Sequence, residues 1–397
     1  MATKKSLIKI TNGHLITPYR VIPNGSMLIE GGIITAIADH DLEMPEAETI
    51  DAGGRYVSPG FIDIHVHGGG GYDFMDNTVE AFLKIAELHV RYGTTAMFPT
   101  TLTGPTEDII KTLEIFEEAA PINEKGAQLM GIHLEGPYFA MNQRGAQDPK
   151  WIRDPNPEEY EYIVSRSNSI KRWSAAPELK GAIPFGRYLK SKGILASYAH
   201  TDAIYEEVLE AFKNGYTLAT HLYSGMSGVT RRNAFRYAGA VESAFIIDEM
   251  NVEIIADGVH LPPPLLKLIC KIKGSDRIAL ITDAMRAAGM PAGESIIGNI
   301  HTGLKVIVED GVSKLPDRSS FAGSVATADR LVRTMINMAS VSLIDAIKMI
   351  TQTPASIMNI SDRKGSLTVG KDADLVIFDE NISIYTTMIK GNIIYQN

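Results

Sequence analysis

A chain of 397 residues with 47 acidic and 38 basic side chains carries a formal net charge of −9, so bulk electrostatics offers no hold on nucleic acid. Apolar residues make up 45% of it and mean hydropathy is −0.01, the profile of a globule large enough for one big domain and a smaller one. Its one cysteine, Cys270, excludes an intramolecular disulfide and points to a reducing, cytoplasmic setting.

The opening segment, MATKKSLIKITNGHL, has no apolar stretch of the roughly 7–15 residues that a signal peptide needs. No run approaches the roughly 18 apolar residues of a membrane span, so no membrane partner is expected. The chain then turns β-rich: SLIKITNGHLITPYRVIPNGSMLIEGGIITAIA carries Asn-Gly and Gly-Gly turns between β-forming runs. From residue 61, apolar runs alternate with helical patterns. The runs span residues 61–68, 94–101, 129–136, 173–179, 194–200, 218–224, 252–260 and 277–283. Between them, TVEAFLKIAELHVRYG, PTEDIIKTLEIFEEAA, IPFGRYLKSKG and IYEEVLEAFKNG have helical spacing, several closing on a glycine (Gly93, Gly193, Gly215).

Eight strands, nearly all followed by a helix, predict an α/β fold, a (β/α)8 TIM-like barrel. A doubly wound sheet is the alternative, but no glycine-rich dinucleotide turn supports it. The last stretch, GSLTVGKDADLVIFDENISIYTTMIKGNIIYQN, is β-rich again. The two ends are therefore expected to pair into one small β-sandwich domain, residues 1–58 and 358–397, interrupted by a barrel over residues 59–357.

The chemistry begins in FIDIHVHGGGG, residues 61–71. A strand's period of two puts Asp63, His65 and His67 on one face. Buried polar side chains need partners, and two imidazoles at a strand's carboxyl end suit a divalent metal. A hairpin edge with exposed histidines is the plain alternative. In a barrel, active-site residues sit at the carboxyl ends of the strands. His65 and His67 end the first run; Glu135 ends the third, in GIHLEGPYF. His200 ends the fifth, in ASYAHTDA, His221 lies near the end of the sixth, in LATHLYSGM, and Asp283 ends the eighth, in ALITDAM. Any one of these alone is more often a core or loop residue. Together, at equivalent places on five strands, they indicate a metal hydrolase site. HGGGG could also be the oxyanion loop of a serine hydrolase, which requires a G-x-S-x-G elbow. GMSG at residues 225–228 falls one residue short. The glycines are better read as letting the backbone turn away from a metal and approach a ligand closely.

These motifs resemble the amidohydrolase superfamily and, within it, the branch of N-acetylglucosamine-6-phosphate deacetylases, nearly end to end. PGFIDIHVHG is shared by many amidohydrolases, whereas HLEGP followed by THLYSGM and IADGVH marks the branch; APEL, AHTDA, LITDA, FAGS and KGSLTVGKDADLVIFD extend the likeness. The resemblance implies Glu135, His200 and His221 as metal ligands, and His65 and His67 as a pair that some members use for a second metal and others lack. It implies Asp283 as catalytic base, and His260, Arg232 and the loop Phe321, Ala322, Gly323 as substrate contacts.

Two departures stand out. The branch usually has Asn-Ala where this chain has Ser224 and Gly225, on the sugar-phosphate side. It usually has a histidine, helping to polarise the amide carbonyl, where this chain has Gln147, next to Ala146. Gln147 is accordingly expected to donate to the oxyanion.

The resemblance further implies one or two divalent ions, zinc first, with iron, manganese, cobalt or nickel as alternatives. The implied reaction removes acetyl from a small phosphorylated amino sugar, N-acetylglucosamine-6-phosphate, giving glucosamine-6-phosphate and acetate, with Asp283 as base and then acid. Arg232 would read the phosphate, since a guanidinium fork matches its oxygens, and would do so across a homodimer interface; Arg231 beside it is read as solvated. The rivals are the galacto isomer of the substrate, a different metal amidohydrolase, and a non-catalytic scaffold. Many other amidohydrolases place a modified lysine at the fourth strand, where RWSAAPEL has none, and the complete ligand set argues against a scaffold.

Overall fold

In the computed structural model the described residues are 6–397, and of Arg232 the backbone alone. Eight short strands run parallel in chain order: Phe61–Val66, Thr94–Pro99, Ile132–Glu135, Ile170–Ala175, Leu195–Tyr198, Tyr216–Ala219, Asn251–Ile254 and Ile278–Leu280. Each overlaps one of the expected runs. Successive strands are paired in parallel register, with the second and third joined by the bridge between Thr100 and His133. Past the last strand, the Asp283 N–H donates to the His65 carbonyl at 2.9 Å and the His67 N–H to the Ala284 carbonyl at 2.8 Å. The sheet is therefore curled, with its last segment lying against its first strand.

Both faces of these strands are covered, as parallel strands require. Phe61–Val66 and Thr94–Pro99 are buried at every residue. Alternation then sorts their side chains. Ile62, Ile64, Ala96 and Phe98 pack with Leu218, Ala279 and Ile281. Phe61, Met97 and Trp173 join the helical residues Phe82, Ile85, Phe116 and Phe185 in the larger core. All four segments expected to be helical are so, within Val79–Val90, Thr106–Ala119, Ala182–Ser191 and Tyr205–Lys213. Thr78 caps the first of them by accepting from the Ala81 N–H.

The chain ends share one eight-stranded sheet. Strand Tyr56–Pro59 pairs antiparallel with Leu375–Phe378, bringing Val57 opposite Ile377. Ile10, Leu15, Met27, Val57, Leu375 and Met388 form a core of its own. An antiparallel sheet of Gly293–Ile297, Leu304–Glu309 and Val312–Lys314 follows the last parallel strand. It was not anticipated, and it walls the site described next.

Candidate metal centre and active-site pocket

His65 lies within the first parallel strand, and Glu135 ends the third. His67, His200, His221 and Asp283 follow just past the ends of theirs. Three of them take left-handed backbone: φ is +46° at His200, +32° at His221 and +48° at Asp283. Residues with a Cβ adopt that region at a cost, and such strain clusters at functional sites. Here it turns three side chains from the strand direction towards one point.

At that point the ligating atoms converge. His221 Nε2 stands 2.9 Å from Glu135 Oε1, with His65 Nε2 and His200 Nε2 each 3.5 Å from the same oxygen. His67 Nε2 lies 3.4 Å from Glu135 Oε2 and 3.1 Å from Asp283 Oδ1, and His65 Nε2 lies 3.4 Å from Asp283 Oδ1. Ligands about 2.0–2.1 Å from one tetrahedral ion stand about 3.3 Å apart. The spacing therefore fits divalent metal. His65 belongs to two such groups, one with Glu135 and His221, the other with His67 and Asp283.

The far side of each ring explains its orientation. His67 Nδ1 is 3.2 Å from the Thr100 carbonyl and His200 Nδ1 is 2.8 Å from that of Gln143. A carbonyl only accepts, so each Nδ1 carries the proton and Nε2 is left to ligate. His65 Nδ1 meets Glu253 Oε2 instead, at 3.3 Å. His221 Nδ1 is buried without a protein partner among the described residues.

These groups floor a cavity of about 490 Å³, reached by His67, Glu135, His200, His221 and Asp283 and walled by Ala146, Gln147, Ser224, Gly225, His260, Phe321 and Gly323. Most of the expected site residues are thus together. His65 sits beneath the floor, fully buried. Ala322, between two cavity-lining residues, has its side chain buried with Met285, Ala287 and Ile297. Its N–H donates to the Ser313 carbonyl at 3.0 Å, which turns the methyl into that apolar backing. The Arg232 side chain lies outside the described residues; its backbone is in strand Thr230–Arg232.

Gln147 is 5% exposed, so it is no solvent-facing loop residue. Its carbonyl accepts from the Thr103 N–H and its amide donates to Glu135 Oε2, each at 2.8 Å. Expected to serve the substrate, that amide has one N–H committed to Glu135. Gly225 is needed for a different reason. Its φ is +57°, and a Cβ there would stand 2.7 Å from both the Gln143 carbonyl oxygen and His200 Nδ1. The bond that orients His200 occupies the space an alanine would fill. His260 Nδ1 is 2.7 Å from Asp257 Oδ2, and its ring centroid is 4.5 Å from that of Phe321.

The glycines after His67 build a tight hairpin. Gly68–Gly69 pairs with Tyr72–Asp73, and Gly70 and Gly71 between them both have positive φ, +63° and +93°, as a two-residue turn of this hand demands.

Sequence reasoning missed two sets of residues. Lys314 and Arg318 reach the cavity from the unanticipated sheet and its loop, each paired with Glu309. Arg172 and Glu253, both fully buried, form an ion pair beneath the floor. The available signal was Glu253, a charge in an otherwise apolar strand; Arg172, next to Lys171, gave none.

Burial opposes ionisation of the carboxylates here, but their neighbours overrule it. Desolvation would raise Glu135, yet His65 and bonds from His200 and His221 hold it well below the usual carboxylate range. Desolvation would likewise raise Asp283, and His65 and His67 bring it below its ordinary value. Glu253 is lowered against its burial by Arg172 and then His65. Burial depresses His65 despite nearby carboxylates, whereas Asp283 and Glu135 raise His67 to about 9 against the same effect. Carboxylates held in the ionised form among imidazoles are a combination suited to a cation.

Curled parallel sheet, histidines at strand ends and a paired carboxylate centre are features of metal-dependent hydrolases. A family model described as "Amidohydrolase family" matches residues 56–394, and the chain belongs to that family. Among its relatives, the N-acetylglucosamine-6-phosphate deacetylase of Bacillus subtilis (strain 168) is 35% identical over 386 residues, covering 96% of this chain and 95% of the relative. The N-acetylgalactosamine-6-phosphate deacetylase of Escherichia coli O157:H7 is 32% identical over 381 residues, covering 96% and 97%. The crystal structure of N-acetylglucosamine-6-phosphate deacetylase from Pasteurella multocida superposes with a TM-score of 0.91 at 26% identity, over 98% of this chain and all of that one.

Proposed function

We propose that this protein is a metal-dependent N-acetylglucosamine-6-phosphate deacetylase, releasing glucosamine-6-phosphate and acetate. One observation carries the reading: four imidazole Nε2 atoms and two carboxylates converge at the floor of a cavity of about 490 Å³. The names of the relatives at 32–35% identity support the substrate class.

In this reading Glu135, His200 and His221 would hold one ion, and His65 and His67, near Asp283, would hold a second. Zinc suits the nitrogen and oxygen donors, as iron, manganese, cobalt or nickel also do. A divalent ion supplies Lewis acidity for the amide carbonyl and draws the pKa of water towards about 7. Asp283, ionised, accepts a proton from the attacking water and returns it to the departing nitrogen, which would otherwise leave as an amide anion. Gln147 keeps a second amide N–H for the developing oxyanion. Ala146, Ser224, Gly225, His260 and the Phe321–Gly323 loop shape the sugar site, and Arg232 reads the phosphate across a homodimer interface.

We read the curled sheet as a closed (β/α)8 barrel over residues 59–357. The terminal sheet, residues 1–58 and 358–397, would fold over its own core as a β-sandwich. No helix among the described residues is long and apolar enough to cross a membrane, and the single cysteine, Cys270, suits a cytoplasmic setting.

The test is acetate release from N-acetylglucosamine and N-acetylgalactosamine, each with and without 6-phosphate, using zinc-loaded protein. The gluco phosphate should react fastest. A faster galacto phosphate would move the protein to that substrate, and no acetate from either phosphate would overturn the reading.

A further inference from the structure

We infer that Glu253, clamped by Arg172 beneath the cavity floor, is the positioning residue that makes His65 a metal ligand and so sets how many ions the chain binds. The inference rests on the metal-site reading proposed above. Its first ground is contrast. His67 and His200 are oriented by backbone carbonyls, whereas His65 alone of the four rings gives Nδ1 to a carboxylate. A carboxylate in an ion pair only accepts. His65 Nδ1 must then carry the proton, and Nε2 keeps its lone pair. That atom lies 3.2 Å from His67 Nε2, 3.4 Å from Asp283 and 3.5 Å from Glu135, where the two ligand groups meet.

The second ground is that the carboxylate cannot turn away. A guanidinium has five N–H donors in a fixed fork, and all five of Arg172's find acceptors. Nε donates to Ser197 Oγ at 2.9 Å, Nη1 to the Ile64 carbonyl at 3.2 Å and to Glu253 Oε1. Nη2 donates to Thr220 Oγ1 at 2.8 Å and Glu253 Oε2 at 2.9 Å. With both its oxygens engaged by one saturated cation, Glu253 has a single arrangement. Its Oε2 also accepts from the His221 N–H at 3.3 Å, so the same carboxylate steadies the backbone of a second ligand. Carboxylates behind metal-binding imidazoles fix the tautomer and strengthen the ligand, and their loss typically lowers metal affinity about 10- to 100-fold.

Two variants test this. Glu253→Gln presents one acceptor and one NH2 to four donors, so at least one donor faces another. The double variant Arg172→Leu with Glu253→Leu removes both charges, an exchange that buried ion pairs often tolerate without loss of stability; it keeps the test open should the single variant fail to fold. The readouts are zinc per chain by mass spectrometry, zinc titration by calorimetry, and histidine 15N shifts of the metal-free protein. Wild type should bind two ions and carry the His65 proton on Nδ1. The folded variants should bind the weaker ion about 10- to 100-fold less tightly and retain near one ion after dialysis. A folded double variant that keeps two ions at wild-type affinity overturns the inference, as does a wild-type His65 protonated on Nε2. A wild type that takes up no zinc refutes the metal-site reading itself, and one that takes up a single ion refutes the inference about stoichiometry.

Discussion

Gln147 donates its side-chain amide to Glu135 Oε2 across 2.8 Å while its carbonyl oxygen is held by the Thr103 N–H at the same distance. One side chain therefore ties the loop after the third strand to the carboxylate between both ligand groups. Gln147→Ala is expected to lower kcat by about 10²-fold, the low end for loss of an oxyanion donor, and to weaken zinc binding as well. Gln147→Glu should be worse, because a second carboxylate would face Glu135. Kinetics and zinc titration of both variants decide this; wild-type values for each would leave Gln147 without a role.

Asp283→Asn should keep the ion held by Glu135, His200 and His221 yet lose kcat, since asparagine neither takes nor returns a proton. General acid–base groups contribute about 10²- to 10⁴-fold, and a residue serving two steps belongs at the upper end. Single-turnover measurement on the zinc-loaded variant checks it. A tenth of wild-type kcat remaining would assign the base elsewhere.

Gly225→Ala should damage the site although the change is one methyl. Its Cβ would stand 2.7 Å from His200 Nδ1, forcing that ring off the Gln143 carbonyl, and its φ of +57° disfavours any side chain. The expected outcome is a folded protein that binds zinc about 10-fold more weakly, the low end for a lost ligand support. Undiminished affinity would mean that the loop yields rather than the ligand.

The acid limb of stability should depend on Glu159, which accepts from Arg153 Nε at 3.0 Å and from the Tyr138 hydroxyl at 3.0 Å, clamping both ends of the loop that carries Gln147. Burial would raise its carboxyl, but Arg153 and Thr106 lower it below the ordinary value. The unfolded chain, with a pKa of about 4.3, then binds the proton more readily than the native state. This stabilisation is complete above the unfolded pKa and fades as pH falls through the folded one. Glu159→Gln should cost about 1.5 kcal/mol at pH 7, the low end for bonds to a charged group and fitting its half-buried position. It should flatten the decline below about pH 4. Urea melts at both pH values test this, and an unchanged slope would exclude Glu159.

The strands and most of the floor were legible because burial and period two act locally: FIDIHVH declares its polar face within seven residues. The parallel strand ends then placed His200, His221 and Asp283 near one another through topology alone. Arg172 and Glu253 were not legible as a pair. Glu253 is a single charge in an apolar strand and Arg172 follows Lys171, and nothing in either strand names a partner 81 residues away. The antiparallel sheet was a missed local signal, since Asp310-Gly311 between Leu304–Glu309 and Val312–Lys314 is a two-residue hairpin turn with φ of +53° and +73°. In FAGS, nothing local tells that the Ala322 methyl faces the apolar backing.

The left-handed backbone at His200, His221 and Asp283 means that this scaffold is at odds with its own chemistry. Such a conformation costs up to about 1–2 kcal/mol in a residue with a Cβ, less in aspartate or asparagine, and glycine bears it freely. Discarding the function should therefore toughen the metal-free protein. His221→Gly would also remove an imidazole whose Nδ1 is buried without a partner among the described residues. A thermally hardened descendant that keeps all three side chains would have to find its gains elsewhere in the molecule, as at Ile382, whose φ is +57°.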